Sequence, residues 1–270
     1  MAVTVMFSCS GVERSRFLEY IKENPQRYKD WRDEWAMKTS GKEDELFSPY
    51  LPQPFDKARE TGLIPEGLKS IGGTFSTVNE QGEASYLNMI HLSNIDGTNV
   101  YDLTKGEIEG RRQALLAIAA LKKFTPGFEN VKLRNFGMTI GIRDTRKIEG
   151  EYELTGHDVN NQAKFDDSIG IFPEFIDGYG HLILPTTGRY YQLPYRSLLP
   201  LGIENLLVAG RAIAGDKVSH ASIRNMMCCT VTGQAAGAAA ALAVKSQVAV
   251  RNLSVSDLQQ ELKRQGVRIY

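Results

Sequence analysis

Between Asn225 and Val244 the chain runs for 20 residues without a charged side chain. That length in one apolar stretch leaves few options: a membrane span, or a helix packed inside a protein. A span needs about 20 strongly apolar residues, whereas this run is rich in Ala and Gly and contains Asn225, Thr230, Thr232 and Gln234. A buried helix is the expectation. Gly233 and Gly237, one turn apart, would let a second backbone or a flat ligand approach closely. Just upstream, Asn205–Gly210 (NLLVAG) is short, continuously apolar and ends in Gly, which predicts a strand buried on both faces. Strand, loop and helix together make a β-loop-α unit. In α/β sheets ligands sit beyond the carboxyl ends of strands and face helix N-termini.

Charge sharpens that expectation. The chain has 32 basic and 32 acidic residues and no net charge, which argues against wrapping nucleic acid or holding an anionic membrane through a polybasic surface. Residues 186–245 nevertheless carry six basic and two acidic groups. Arg211, Asp216, Lys217, His220, Ser222 and Arg224 crowd the loop and helix start, a setting suited to a phosphate or carboxylate. Three cysteines (Cys9, Cys228 and Cys229) cannot form a disulfide framework, and no Cys/His grouping has metal-site spacing. Reduced thiols fit a cytoplasmic protein. The vicinal pair Cys228–Cys229 would diverge by about 100° in one helix, so it pairs poorly.

The rest of the chain alternates irregularly. The N-terminus lacks a basic segment before its apolar run and a small-residue cleavage site, so it reads as a strand rather than a signal peptide. Phe17, Leu18 and Ile21 predict a helix. Asn24–Pro25 is expected to end it and start another, with Tyr28, Trp31 and Trp35 as its apolar stripe. Residues 48–74, rich in Pro and Gly, predict a loop. A hairpin follows, Gly73–Val78 and Ala84–Leu92 about the turn Asn79–Gly82. Thr104–Glu107 has the form of a capping box opening a helix to Leu121, stopped by Thr125–Pro126–Gly127. Val131–Ile142 and Glu151–Thr155 predict strands, and Ser254 opens a last amphipathic helix ended by Gly266. Length sets a prior of two domains. The organisation expected is a substrate or cap domain over 1–184, a cofactor-contacting part over 185–250 and a C-terminal helix over 251–270, in the α/β class.

Residues 204–244, ENLLVAGRAIAGDKVSHASIRNMMCCTVTGQAAGAAAALAV, resemble the C-terminal flavin-contacting segment of FAD-dependent oxidoreductases with the glutathione-reductase-like fold. GIRDTRKIEGEYELTGHDV (141–159), QLPYRSLLP (192–200) and LTKGEIEGRRQ (103–113) extend the match over most of the chain. The resemblance implies an α+β substrate domain joined to the C-terminal part of a Rossmann-like FAD-binding domain, and hydride transfer between a small organic substrate and flavin. It implies FAD contacts from Ala209, Gly210, Arg211, Ser222, Ile223, Arg224, Gly233 and Gln234. Arg224 and amides near Ser222 and Ile223 would face the pyrimidine edge of the flavin, where negative charge develops on reduction. His220 would exchange protons beside the flavin or serve as a structural histidine. Tyr195 and Arg196 would orient an anionic substrate or form a structural ion pair.

Two departures stand out. Many relatives have Gly after this His and a Pro-Thr-Cys run after the Arg and Met, where this chain has Ala221 and Met227–Cys229. Such enzymes also hold the ADP half of FAD on a strand-G-x-G-x-x-G-helix turn, and nothing here matches it; Gly72–Gly73 opens no helix. The expectation is therefore a chain weak or inactive alone, with a truncated gene product or a partner subunit supplying that segment as the two explanations. The competing reading is a non-catalytic interaction protein that keeps the fold without the cofactor. A hydrolase built on His220 lacks a nucleophile elbow.

Overall fold

The computed structural model describes residues 1–31, 36–38, 43–184 and 188–270. Backbone contacts divide the chain into two units, Met1–Asp30 with Glu45–Thr145, and Trp31–Asp44 with Arg146–Tyr270.

The first unit contains β1 (Val3–Thr4), β2 (Phe7–Ser10) and α1 (Arg14–Glu23); the chain then lends β3 (Ala36–Lys38) to the second unit. It returns through α2 (Gln53–Glu60), β4 (Ile71–Thr74), β5 (Thr77–Val78), β6 (Ala84–Leu92), α3 (Val100–Phe124) and β7 (Lys132–Phe136). The sheet is antiparallel and centred on β6, which pairs with β1, β2, β4 and β5, while β2 also pairs with β7. Alternation places Phe7 and Cys9 in the core with Leu87, Met89 and Ile90. Phe17 fills the centre edge-on to Phe75 and Phe128, at 5.2 and 4.9 Å between ring centres. Gly110 lets α3 lie against this core: a Cβ there would stand 2.2 Å from Cγ2 of Val5.

In the second unit β3 runs parallel to β10 (His181–Ile183), which pairs antiparallel with β9 (Ile176–Gly178); β8 (Ser168–Pro173) pairs with β11 (Tyr190–Pro194). Helices α4 (Gly156–Asn160), α5 (Lys217–Ile223), α6 (Met226–Ser246) and α7 (Val255–Arg264) complete it. The mixture of helices and antiparallel sheets is the α/β class read from the sequence.

Several elements differ from expectation. Asn24 closes α1, its Nδ2 donating back to Tyr20 O, and the chain resumes only as a 3-10 turn at Tyr28–Trp31; Trp35 lies outside the described residues. The Pro-rich 48–74 segment contains α2, because Pro52 and Pro54 fall at the helix start, where an amide has no intrahelical partner. Helix α3 opens at Asn99, whose Oδ1 accepts from the amide N–H of Tyr101 at 2.9 Å; Thr104 is interior and its hydroxyl donates to Val100 O. Glu151–Thr155 makes only an isolated bridge, Leu154 to Gly215, and β7 is shorter than read. The predicted strand Asn205–Gly210 is no strand. Leu206 is 42% exposed, Leu207–Ala209 are half-buried, and no described strand pairs with them. An apolar run alone does not make a strand when its ladder neighbours are missing.

Helix α6 also differs from the fully buried helix expected. Only Cys228, Thr232, Ala235, Ala239 and Ala243 are buried, a stripe at helical spacing, and the opposite face is open. By length and composition α6 is long and apolar enough to cross a membrane.

Candidate functional site

The region from Leu206 to Thr232 brings together most of the residues singled out by resemblance. Gly210 has φ +73°, a left-handed conformation that a side chain strains, and it starts the 3-10 turn Gly210–Ala212. Its N–H donates to Thr232 Oγ1 at 3.0 Å, and Thr232 donates onward to Cys229 O at 3.1 Å. The loop holding Ala209, Gly210 and Arg211 is thereby fastened to the second turn of α6.

Helix α5 is set by Asp216, whose carboxylate accepts from Ser219 N–H at 2.7 Å and from Gly156 N–H at 2.9 Å. One carboxylate thus serves the starts of α5 and α4, and Thr155 with Asp158 closes a capping box on α4. Behind α5, Tyr191 Oη and Ser222 Oγ lie 2.8 Å apart in the interior, and burial drives the tyrosine's pKa well above its usual value. His220 is completely buried, so it stands inside the unit rather than on a surface. Ser222 and Ile223 are buried in the last turn of α5, because that helix begins at Lys217 rather than after the loop expected there.

The break between α5 and α6 falls at Arg224–Asn225. Asn225 turns its Nδ2 back to Ala221 O and Ser222 O, at 3.3 and 2.7 Å, so its side chain does not cap α6. The first-turn amides of a 21-residue helix therefore lie beside two exposed methionines, Met226 and Met227, with the positive end of the helix dipole directed at them. Arg224 sits at the same break, its Nη2 donating to Asp177 O at 2.6 Å and to Asp177 Oδ2 at 3.0 Å. Arg211 is exposed. Burial raises the Cys229 thiol, while the charges of Arg211 and Arg224 pull it the other way.

Other predicted residues lie elsewhere in the unit. Tyr195 is buried and donates to Val250 O at 2.9 Å; Arg196 grips Asp167 through Nε and Nη2 at 2.9 and 3.2 Å. Arg196 thus forms an ion pair while its side chain stays 46% exposed. Gln234 donates to Gln265 Oε1 at 2.9 Å, toward the end of α7. At Gly233 and Gly237 an added Cβ would meet nothing within 4 Å, so the close approach they permit is not used within the described residues. Sequence reasoning missed Asp177, Asp167 and the double role of Asp216. Only the T-x-x-D spacing of Thr155–Asp158 carried a local signal.

The family model described as FAD dependent oxidoreductase matches residues 1–262. The chain belongs to this family. Family membership implies FAD binding. Comparison with curated proteins and with solved structures returned no match. The residues fit one end of that cofactor: a left-handed glycine against α6, an uncapped helix N-terminus and two arginines suit a ring system on which negative charge develops. For the ADP half, the sequence has no G-x-G-x-x-G turn opening a helix.

Proposed function

We propose that this chain forms the flavin-ring side of an FAD-dependent oxidoreductase that moves a hydride between a small, anionic organic substrate and the cofactor. FAD supplies the two-electron chemistry when bound. The chain's part is electrostatic and steric. The first-turn amides of α6 and the Arg211 guanidinium stabilise developing negative charge, and Gly210 lets the backbone approach the ring. Arg224, held by Asp177, adds positive charge at the same break and fixes the α5–α6 junction. The local excess of positive charge over residues 186–245 supports an anionic substrate. Three free cysteines, Cys9, Cys228 and Cys229, support a reducing, cytoplasmic setting.

The uncapped start of α6, with Arg224 at its break and the turn that carries Arg211 fastened to the same helix, carries this reading. It is tested by titrating FAD into the chain, alone and with a G-x-G-x-x-G polypeptide, following the flavin absorbance and fluorescence. Binding weakened about tenfold by Arg211→Ala is the expected result. A folded protein that takes up no flavin under either condition is instead a binding protein that has kept the fold without the cofactor.

A further inference from the structure

Helix α3, 25 residues long, has two differently built sides. On the inner side Gly106 and Gly110 bring it onto the first unit's core: a Cβ at Gly106 would stand 3.0 Å from Cδ1 of Ile140, and Leu103, Leu116 and Ile118 pack inward. That close seating fixes the rotation of the helix about its own axis. On the outer side Tyr101, Ile108 and Leu115 recur every seventh residue and are 82, 67 and 54% exposed. Seven residues make about two turns, so three large apolar side chains stand in single file along the outside. Exposed charge on that side has one sign. Lys105 and Arg112 follow Tyr101 and Ile108 by four residues, Lys122 continues the file after Leu115, and all three are exposed. The acids of the helix are engaged within the unit. Asp102 Oδ2 accepts from Asp96 N–H at 2.9 Å. Glu107 pairs with Arg111 and accepts from Ile140 N–H at 2.7 Å; Glu109 accepts from Gln113 Nε2 at 2.8 Å and from Arg112 Nε at 3.0 Å.

We infer that this face docks an acidic amphipathic helix of another polypeptide, its apolar row packed over Tyr101, Ile108 and Leu115 and its Asp or Glu side chains set against Lys105, Arg112 and Lys122. A file of apolar residues at seven-residue spacing is the seam a second helix fits, and charges four positions on are those that select a partner across such a seam. The charge decides which partner. A second copy would set Lys105, Arg112 and Lys122 against groups of their own sign, whereas carboxylates complement them. A strand gains nothing here, because the backbone groups along the middle of a helix are already paired. Lipid suits the face poorly, since a single file is narrower than the stripe of roughly 100° that an amphipathic helix lays into a membrane surface. Three side chains make a small contact, so the complex is a reversible one. This surface belongs to the first unit and goes beyond the functional reading above.

The test titrates a fluorescently labelled three-heptad peptide, with Leu at its core positions and Glu at the flanking ones, with the full chain in the absence of FAD, and follows the anisotropy. Saturable one-to-one binding below roughly 100 µM, weakened by added salt, is expected. Ile108→Glu changes an exposed position, so the chain should melt as wild type does while binding weakens about tenfold or more. Lys105→Glu combined with Lys122→Glu should transfer the preference to a peptide with Lys in place of Glu. The proposal is overturned by a folded chain that binds neither peptide, by binding indifferent to Ile108→Glu, or by equal binding of both peptides. A dimer seen by light scattering and dissolved by Ile108→Glu overturns it in favour of a second copy. Uptake onto phosphatidylserine vesicles, lost in the same variant, overturns it in favour of a membrane. None of these readouts involves flavin, so this inference and the flavin reading stand or fall separately.

Discussion

Cys9, Cys228 and Cys229 share a side chain and differ in surroundings. Cys9 is wholly buried in the first unit and burial pushes its thiol up to about 12; Cys228 lies on the buried stripe of α6 and is raised by the same cause. Cys229 is half-buried, with Arg211 and Arg224 opposing its rise. A disulfide reagent such as Ellman's at pH 8 should therefore titrate no more than one thiol in the native protein and three after unfolding in guanidinium, with the native site mapped to Cys229 by mass spectrometry. Because the folded-state value of Cys9 lies above its ordinary value near 9, the folded state holds its proton more tightly. Its contribution to stability is complete below pH 9 and is lost as pH rises toward 12, and Tyr195, pushed from 10 to about 12 by burial, adds loss in the same direction. Urea midpoints should therefore hold level from pH 8 to pH 9 and fall from there to pH 11. Asp216→Ala removes the acceptor shared by the starts of α4 and α5 and should cost about 1–2 kcal/mol in urea unfolding. Residue types near the site were readable from the sequence; their partners were not. Asp177 lies 47 residues from Arg224, Asp167 lies 29 from Arg196, and Val250 lies 55 from Tyr195. Local spacing carries no information at those separations.

At the scale of elements, two helical glycines answer the same substitution with opposite signs. Gly110 on α3 leaves no room for a methyl group beside Val5, so Gly110→Ala should destabilise by about 1–3 kcal/mol. Gly237 on α6 faces open space, so Gly237→Ala should add up to about 1 kcal/mol to the chain alone through helix propensity. Paired thermal melts decide both. Long periodic elements were legible: α1, α6, α7 and the β5–β6 hairpin follow their patterns, and Ser254 caps α7 as its sequence indicates. The failures have physical causes. Helix α2 hides among prolines that suit a first turn, and Asn99 outcompetes Thr104 as the cap of α3 because its carbonyl reaches the amide two residues on. The apolar run 205–210 has strand composition, but a ladder needs a neighbour that local sequence does not contain. The uncharged α6 was read as buried for the same reason: composition shows that a face wants cover without showing what covers it.

For the whole molecule, zero net charge and a pI near 6.9 combine with the open face of α6 to set colloidal behaviour. Repulsion between copies is weakest near neutrality, so light scattering of concentrated protein should peak near pH 7 and fall by pH 9. A flat profile would mean that the apolar face is covered in solution. The family was legible from ordered motifs in both units, and the family model spans 1–262.

Strand β3 carries a consequence for biosynthesis. Ala36 pairs with His181, and the chain completes most of another unit between them. At roughly 5–20 residues per second on the ribosome, residues 36–38 emerge about 7–30 s before the strand they pair with. During that interval the segment is a loose excursion from a unit that can already collapse. Nascent chains arrested before residue 181 should accordingly be cut by trypsin after Lys38 while the first unit resists.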